Sequence, residues 1–289
     1  MKFRLTRVVD NRVGWMELSL AAFLLVIGSG SIAGQVPDGI RTTDDGIKYA
    51  RGQSVVPVFE GWVPNPDGTF SLLFGYFNRN WEENVFIPVG PDNHLDPGGP
   101  DRGQPTAFTP RRERNKFEVV VPKDFGSKEV IWTLTHRGKT ERAYGALVPQ
   151  EVLSRKMVLA QVQREFSDDE TGDAASTNTP PKVEIAEVPP VTLPGHASLS
   201  VSVTDDAVQM SGYRFGGRRG QQGINITWST YRGPALASFD RAANRIPDPK
   251  GGKISASAMF KVPGTYVLRA SVVDVGGYVT HSDTTVVVK

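Results

Sequence analysis

A glycine- and proline-rich stretch from Gly90 to Pro110 carries Asp92, Asn93, Asp96 and Asp101. Hard oxygen donors gathered on a bendable chain are the ligand chemistry of Ca²⁺. The spacing is not that of an EF-hand and no glutamate closes the set; the same residue types also build ordinary turns. A second set, from Tyr76 to Trp81, places aromatic rings beside amides and a guanidinium. Tyr76, Asn78, Arg79, Asn80 and Trp81 could stack on and hydrogen-bond a sugar or a peptide. They read equally as a strand end with asparagine in a turn. Arg111, Arg112 and Arg114 follow the loop, and Arg214, Arg218 and Arg219 lie in a second glycine-rich stretch. Each trio could hold an anionic polymer or be plain solvated charge.

Groups for catalysis are scattered. His94, His136, His196 and His281 never fall at a metal-ligand spacing. His281-Ser282-Asp283 is no triad, because neighbours on a strand point to opposite faces. Glu82-Glu83 offers half of a glycosidase pair, and the second carboxylate would have to arrive across space. Asn225-Ile226-Thr227 fits a glycosylation sequon but sits in a buried strand pattern. With no cysteine, disulfides, zinc–thiolate centres and thiol nucleophiles are excluded. No catalytic residues are assigned, and the one cofactor with a candidate site is Ca²⁺.

The elements that would position these groups are strands. Glycine (30) and proline (21) are plentiful among short Val, Thr and Phe runs, which favours strands and turns over helices. Val55 to Glu60 reads as an edge strand because of Pro57. Pro64 to Gly68 is a turn. Phe70, Leu72, Phe74 and Tyr76 share one face of the next strand, with Leu73, Gly75 and Phe77 on the other, so both sides can be covered. Val85 to Val89, Phe117 to Val121, Val130 to His136 and Lys139 to Ala146 follow, the last two joined by the hairpin signal Arg137-Gly138. Gly90 to Pro110 reads as loop without regular structure. Glu151 to Phe166 carries a helical stripe, and the acidic, Ser/Thr-rich stretch from Ser167 to Lys182 reads as a linker.

After that linker apolar and polar residues alternate. Leu199, Val201 and Val203 form one such row; Ile224, Ile226 and Trp228 another; Tyr266, Leu268, Ala270 and Val272 a third. Six or seven short strands in the last third predict an immunoglobulin-like sandwich. The fold class is therefore all-β: two β-sandwich-like domains in series, 54–150 and 183–289.

Residues 1 to 33 have the three-part form of a secretory signal peptide. Lys2, Arg4, Arg7 and Arg12 precede the apolar run Leu18 to Ile27, and Ser31 and Ala33 suit the cleavage positions. The run is about half the length of a bilayer span, and a retained anchor is the other reading. The 289 residues carry 33 basic and 31 acidic side chains. Removing the leader's Lys2, Arg4, Arg7 and Arg12 with its Asp10 and Glu17 leaves 29 of each, so no general grip on nucleic acid is expected.

Two resemblances follow from particular residues. Ile226-Thr227-Trp228-Ser229, Gly233-Pro234, Phe239, Phe260, Pro263 to Arg269 and Asp274 resemble the tryptophan strand and the final strands of bacterial PKD-like and Ig-like surface modules, though the WDFGDG form is absent. That resemblance implies a seven-stranded spacer or adhesion unit without catalytic residues. Gly75 to Asn80 and Asp96 to Pro105 are similar to "GYFNRN…DPGG…D.GQP" of an uncharacterised exported bacterial family. Together these imply an exported, non-enzymatic binding or scaffold protein of the cell envelope. Carbohydrate or another envelope protein is the expected partner, with no specific nucleic acid and no transmembrane span in the mature chain. The alternative is a carbohydrate-active hydrolase with an accessory Ig-like module.

Overall fold

The computed structural model describes residues 48–154, 158, 178–208, 223–276 and 278–289, all within one compact unit, Lys48–Lys289. The expected signal peptide, most of the expected helix and linker, and Arg214, Arg218 and Arg219 lie outside the described residues.

The fold is all-β, with antiparallel sheets stacked around two hydrophobic cores. In the first core, β1 (Val55–Pro64), β2 (Phe70–Asn78) and β6 (Arg111–Val121) form one sheet in the order β1-β2-β6. β4 (Asn93–Asp96), β7 (Val130–His136) and β8 (Lys139–Gly145) form the facing sheet, with β7 central. β3 (Val85–Phe86) and β5 (Ala107–Phe108) make a short ribbon. Pro57 sits on β1, an edge strand, where its missing N–H costs no ladder bond.

Leu72, Phe74 and Tyr76 alternate into this core against Leu95, Phe117, Trp132 and Leu134. Trp132 is its centre. Phe117 meets it edge-on at 4.9 Å between ring centroids, and Phe117 stacks on Phe74 at 5.3 Å. The opposite face of β2 is covered as well: Leu73 packs with Val63 and Leu153. The Arg137-Gly138 hairpin forms as expected, both residues at positive φ (56° and 73°), the signature of a type I′ turn.

Two local expectations are corrected. Gly90–Pro110 is not structureless: it contains β4 and β5. Four residues, with Asn93 and Leu95 buried, suffice for β4 because β7 beside it supplies the ladder from Ile131 to Leu134. The helix does not start at Glu151. Pro149–Glu151 is a single 3-10 turn, Val152 is extended, and it bridges in parallel to Trp62. Residues 48–53 are tied to the turn after β2.

The second core lies between two four-stranded sheets. β9 (Lys182–Ile185), β10 (His196–Thr204), β14 (Gly251–Met259) and β12 (Ser238–Phe239) make one; β13 (Ala243–Ile246), β11 (Ile224–Arg232), β15 (Gly264–Val273) and β16 (Val279–Val288) make the other. Two four-stranded antiparallel sheets packed face to face over one core have the architecture of an Ig-like sandwich. The chain between β9 and β10 crosses over to pair in parallel with the end of β16 at Val191 and Val288. The alternating rows face inward as expected, and Trp228, Ile226, Leu199 and Leu268 share the core.

Trp228 is 3% exposed. Trp228→Ala should destabilise the second sandwich by about 3–5 kcal/mol, the range for emptying a buried large side chain. Urea unfolding monitored by circular dichroism measures it, and a loss below about 1 kcal/mol would contradict this packing.

Candidate functional site

The expected calcium donors do not converge. Asn93 is fully buried and its amide is saturated: Nδ2 donates to the carbonyls of Ile87 and Pro105 (both 2.9 Å), and Oδ1 accepts from Trp132 Nε1 (3.0 Å). Asp92 is exposed, and Asp96 lies 3.3 Å from His94 Nε2. Asp101 faces elsewhere, onto Arg232 of β11. Among the described residues no group of three or more His, Asp or Glu side chains is placed to hold a metal ion.

The Tyr76–Trp81 set divides into an inside and an outside. Tyr76 is buried; its hydroxyl accepts from the Thr109 amide and shares a hydrogen bond with the Thr109 hydroxyl (both 3.0 Å), and burial pushes its pKa far up. Asn78 Nδ2 donates to the carbonyls of Glu83 and Phe108. Asn80 Oδ1 accepts from the Gln53 amide at 2.7 Å and its Nδ2 returns to the Gln53 carbonyl at 2.9 Å. These two amides are backbone surrogates. They close the turn after β2 and strap residues 50–53 onto it, aided by Trp81 N–H to Tyr49 and Glu82 N–H to Ala50.

Outside stand Arg79, which is paired with Glu141 at 3.5 Å, and Trp81, which is 43% exposed. The Arg111 guanidinium lies 4.2 Å from the centre of the Trp81 ring and 4.8 Å from that of Phe77. Lys48 Nζ lies 4.9 Å from the Trp81 ring.

The arginines after the loop have separate tasks. Arg112 Nη2 sits 2.6 and 2.7 Å from the two oxygens of Glu60, whose side chain is 3% exposed. Arg114 adds a second cation at 3.5 Å. Burial raises the Glu60 pKa against the opposing pull of both cations. Gly75 makes this pair fit, since a Cβ there would collide with the Glu60 carboxylate and the Glu113 carbonyl. Among the described residues Arg111 is the one of the three with no carboxylate at ion-pair distance. Its backbone stands at φ 73°, a region rare for a residue with a side chain.

Sequence reasoning missed the contact between the sandwiches, which the loop builds. Arg232 grips Asp101 in a bidentate pair at 2.8 and 2.9 Å, and its Nε donates to the Gln104 carbonyl at 2.8 Å. The Tyr231 hydroxyl donates to the Gly103 carbonyl, the Thr106 amide donates to the Tyr231 carbonyl, and the Gly233 amide to the Thr106 hydroxyl. Arg269 stacks over the Tyr231 ring at 3.4 Å, clamps Asp283 bidentately at 2.8 Å and donates to the Lys116 carbonyl on β6. The one sequence signal was a tyrosine and arginine ending a strand at Gly233-Pro234, where an isolated sandwich would expose them.

The carboxylate and histidine candidates for catalysis are engaged too. Glu83 accepts from the Gly52 amide and from Arg137 (2.7 and 2.8 Å), which hold it ionised. His281 Nδ1 lies 3.0 Å from Ser271 Oγ on the neighbouring strand, but Asp283, the carboxylate that could orient such a pair, is bound to Arg269.

No protein-family model and no curated protein matches the chain. Among solved structures, a protein of unknown function from Porphyromonas gingivalis W83 aligns over 81% of this chain and 98% of its own, at 10% identity and TM-score 0.23. A conjugate transposon protein from Bacteroides vulgatus aligns over 42% and 91%, at 6% identity and TM-score 0.24. The BSP domain of a biofilm-associated protein aligns over 86% and 61%, at 8% identity and TM-score 0.24. Likenesses of this grade say nothing of function.

The Arg232 pair holds the Asp101 pKa down to about 2, below its ordinary 3.8. A depressed carboxylate pKa means the pair contributes above about pH 4 and is lost as pH falls through about 2. Hydrogen exchange at the Thr106 amide, which bonds across the contact, should therefore accelerate relative to core amides between pH 4 and pH 2. In Asp101→Asn that pH-dependent step should vanish; if it persists, another group governs the contact.

Proposed function

We propose that the chain is an exported, non-enzymatic binding or scaffold protein of the cell envelope, in which two sandwiches act as one rigid body. The observation that carries this reading is the contact centred on Arg232 and Tyr231. One bidentate arginine–carboxylate pair, Arg232 on Asp101, a second arginine, Arg269, donating to the Lys116 carbonyl, a buried tyrosine hydroxyl and one backbone hydrogen bond, Thr106 N–H to the Tyr231 carbonyl, join the elements. Bidentate guanidinium–carboxylate bonds fix angle as well as distance. A contact of that kind transmits force and holds a surface at a set orientation. A spacer that only needs length would do without it.

The secretory form of residues 1 to 33 and the likeness of Ile226 to Asp274 to PKD-like surface modules support the envelope setting. Among the described residues no helix is long and apolar enough to cross a membrane. The hydrolase reading draws no support from the carboxylates of the first sandwich. A general acid needs a raised pKa and access to substrate. Glu83 is held ionised, and Glu60, whose pKa is raised, is buried under Arg112.

The test is calorimetric. The protein should unfold in one transition whose calorimetric and van't Hoff enthalpies agree. Arg232→Ala should split it in two, with the secondary structure before melting unchanged. Two transitions in the parent protein would end the rigid-body reading. Export is checked apart from this: intact mass from the native host should place the mature N-terminus near Gly34 in the envelope fraction. Protein retaining Met1 in the cytoplasm would overturn the exported setting.

A further inference from the structure

The polar residues around the turn after β2 are almost all committed to partners within the protein, and the cations on its outer side are the exception. Glu83 is spent on Arg137 and Gly52, and Glu141 lies against Arg79. Among the described residues, Lys48 and Arg111 have no carboxylate at ion-pair distance, while Arg79 beside them is paired. Lys48 and Arg111 are fixed on the Trp81 ring, and Arg111 is also fixed on Phe77 and by its Nη1 bond to the Arg79 carbonyl at 3.3 Å. Tyr49, 49% exposed, continues the surface next to Trp81, to whose amide its carbonyl is bonded.

This arrangement keeps cations in place without neutralising them. A carboxylate partner would hold Arg111 equally well but cancel its charge; an aromatic face holds it by the ring quadrupole and leaves most of its N–H groups unspent. The left-handed backbone at Arg111 belongs to the same construction, since the guanidinium reaches both rings from φ 73°. Strain of that kind persists only where surrounding contacts over-determine it.

We infer that Lys48 and Arg111, set on Trp81 with Tyr49 beside it, form a binding surface for a carboxylate-bearing polysaccharide. This rests on the reading of the chain as a binding protein. The unspent guanidinium edge suits a carboxylate bidentately, and the exposed tyrosine and tryptophan suit the apolar face of a sugar ring. Nucleic acid fits less well. Its phosphates are dense and continuous, and gripping them takes a sustained cationic track. Here two cations stand on a body whose acids and bases balance outside the leader.

The test uses the full chain and polygalacturonate, with a neutral galactan, dextran sulfate and duplex DNA as comparisons, by affinity electrophoresis and isothermal titration. Polygalacturonate should bind, the galactan should not, and binding should weaken as salt rises. Arg111→Gly is the decisive variant because glycine accepts the positive φ, so the charge is removed without added backbone strain. It should lose at least about tenfold in affinity with the melting temperature preserved. Lys48→Gln should lose less, and Trp81→Phe should retain binding in part, since a phenyl ring still holds a cation.

Equal binding by Arg111→Gly, equal binding of the neutral polymer, or stronger binding of dextran sulfate or DNA would each overturn the inference. None of these outcomes bears on the single unfolding transition, so failure here and failure of the rigid-body reading remain separable.

Discussion

One buried amide, that of Asn93, joins the first core to everything the loop does. Its Oδ1 receives the indole N–H of Trp132 at the centre of the core, and its Nδ2 holds the carbonyls of Ile87 and Pro105 on either side of the loop. Its own carbonyl accepts from the Gln104 side chain, which also reaches the Pro100 carbonyl. The stretch from Pro100 to Thr106 is thus suspended from a fully buried point. A buried polar group left unpaired costs roughly 1–3 kcal/mol, so breaking this node exposes several groups to that cost at once. Because the stretch is fixed, Asp101, Gly103, Gln104 and Thr106 can present acceptors and donors to Tyr231, Arg232 and Gly233 at set positions. The contact between the sandwiches inherits its rigidity from Trp132.

Polar residues inside the molecule account for where the sequence could be read and where it could not. The alternating rows of the second sandwich, such as Leu199-Val201-Val203, were legible because burial on one face imposes a period of two. The same rule found Leu72, Phe74 and Tyr76. It could not separate Asn78 and Asn80 from surface asparagines, since an amide that replaces backbone hydrogen bonds looks in sequence like one that awaits a ligand. Asn93 misled for the same reason: among aspartates it read as an oxygen donor for calcium, while its role depends on Trp132, 39 residues away. Glycine density hid β4, whose ladder is supplied by β7 rather than by its own composition. The onset of the helix was misplaced because the apolar stripe begins before the chain turns; Val152 is drawn into extended pairing with Trp62 first.

The two short motifs Gly75 to Asn80 and Asp96 to Pro105 acquire separate physical meanings. Gly75 to Asn80 combines a glycine that makes room for the Glu60–Arg112 pair with two amides that close a turn and strap the preceding segment. Asp96 to Pro105 is the docking loop. Neither is a catalytic signature. Both answer the question of how an all-β chain without cysteine keeps irregular segments in place: by internal amides and guanidinium pairs, in the role that disulfides fill elsewhere.

Charge is distributed by the same logic. Arg112, Arg232 and Arg269 each face a carboxylate in close geometry and are spent on structure. An arginine so paired is held by what neutralises it and offers little to a passing anion. Arg111, next in sequence to Arg112, is held by rings instead. Adjacent residues on one strand thus separate two uses of the same side chain. The inward-facing one balances Glu60, and the outward-facing one keeps its charge. Neighbours on a strand point to opposite faces, so one strand serves both uses, and the left-handed backbone at Arg111 stands on the side that keeps its charge.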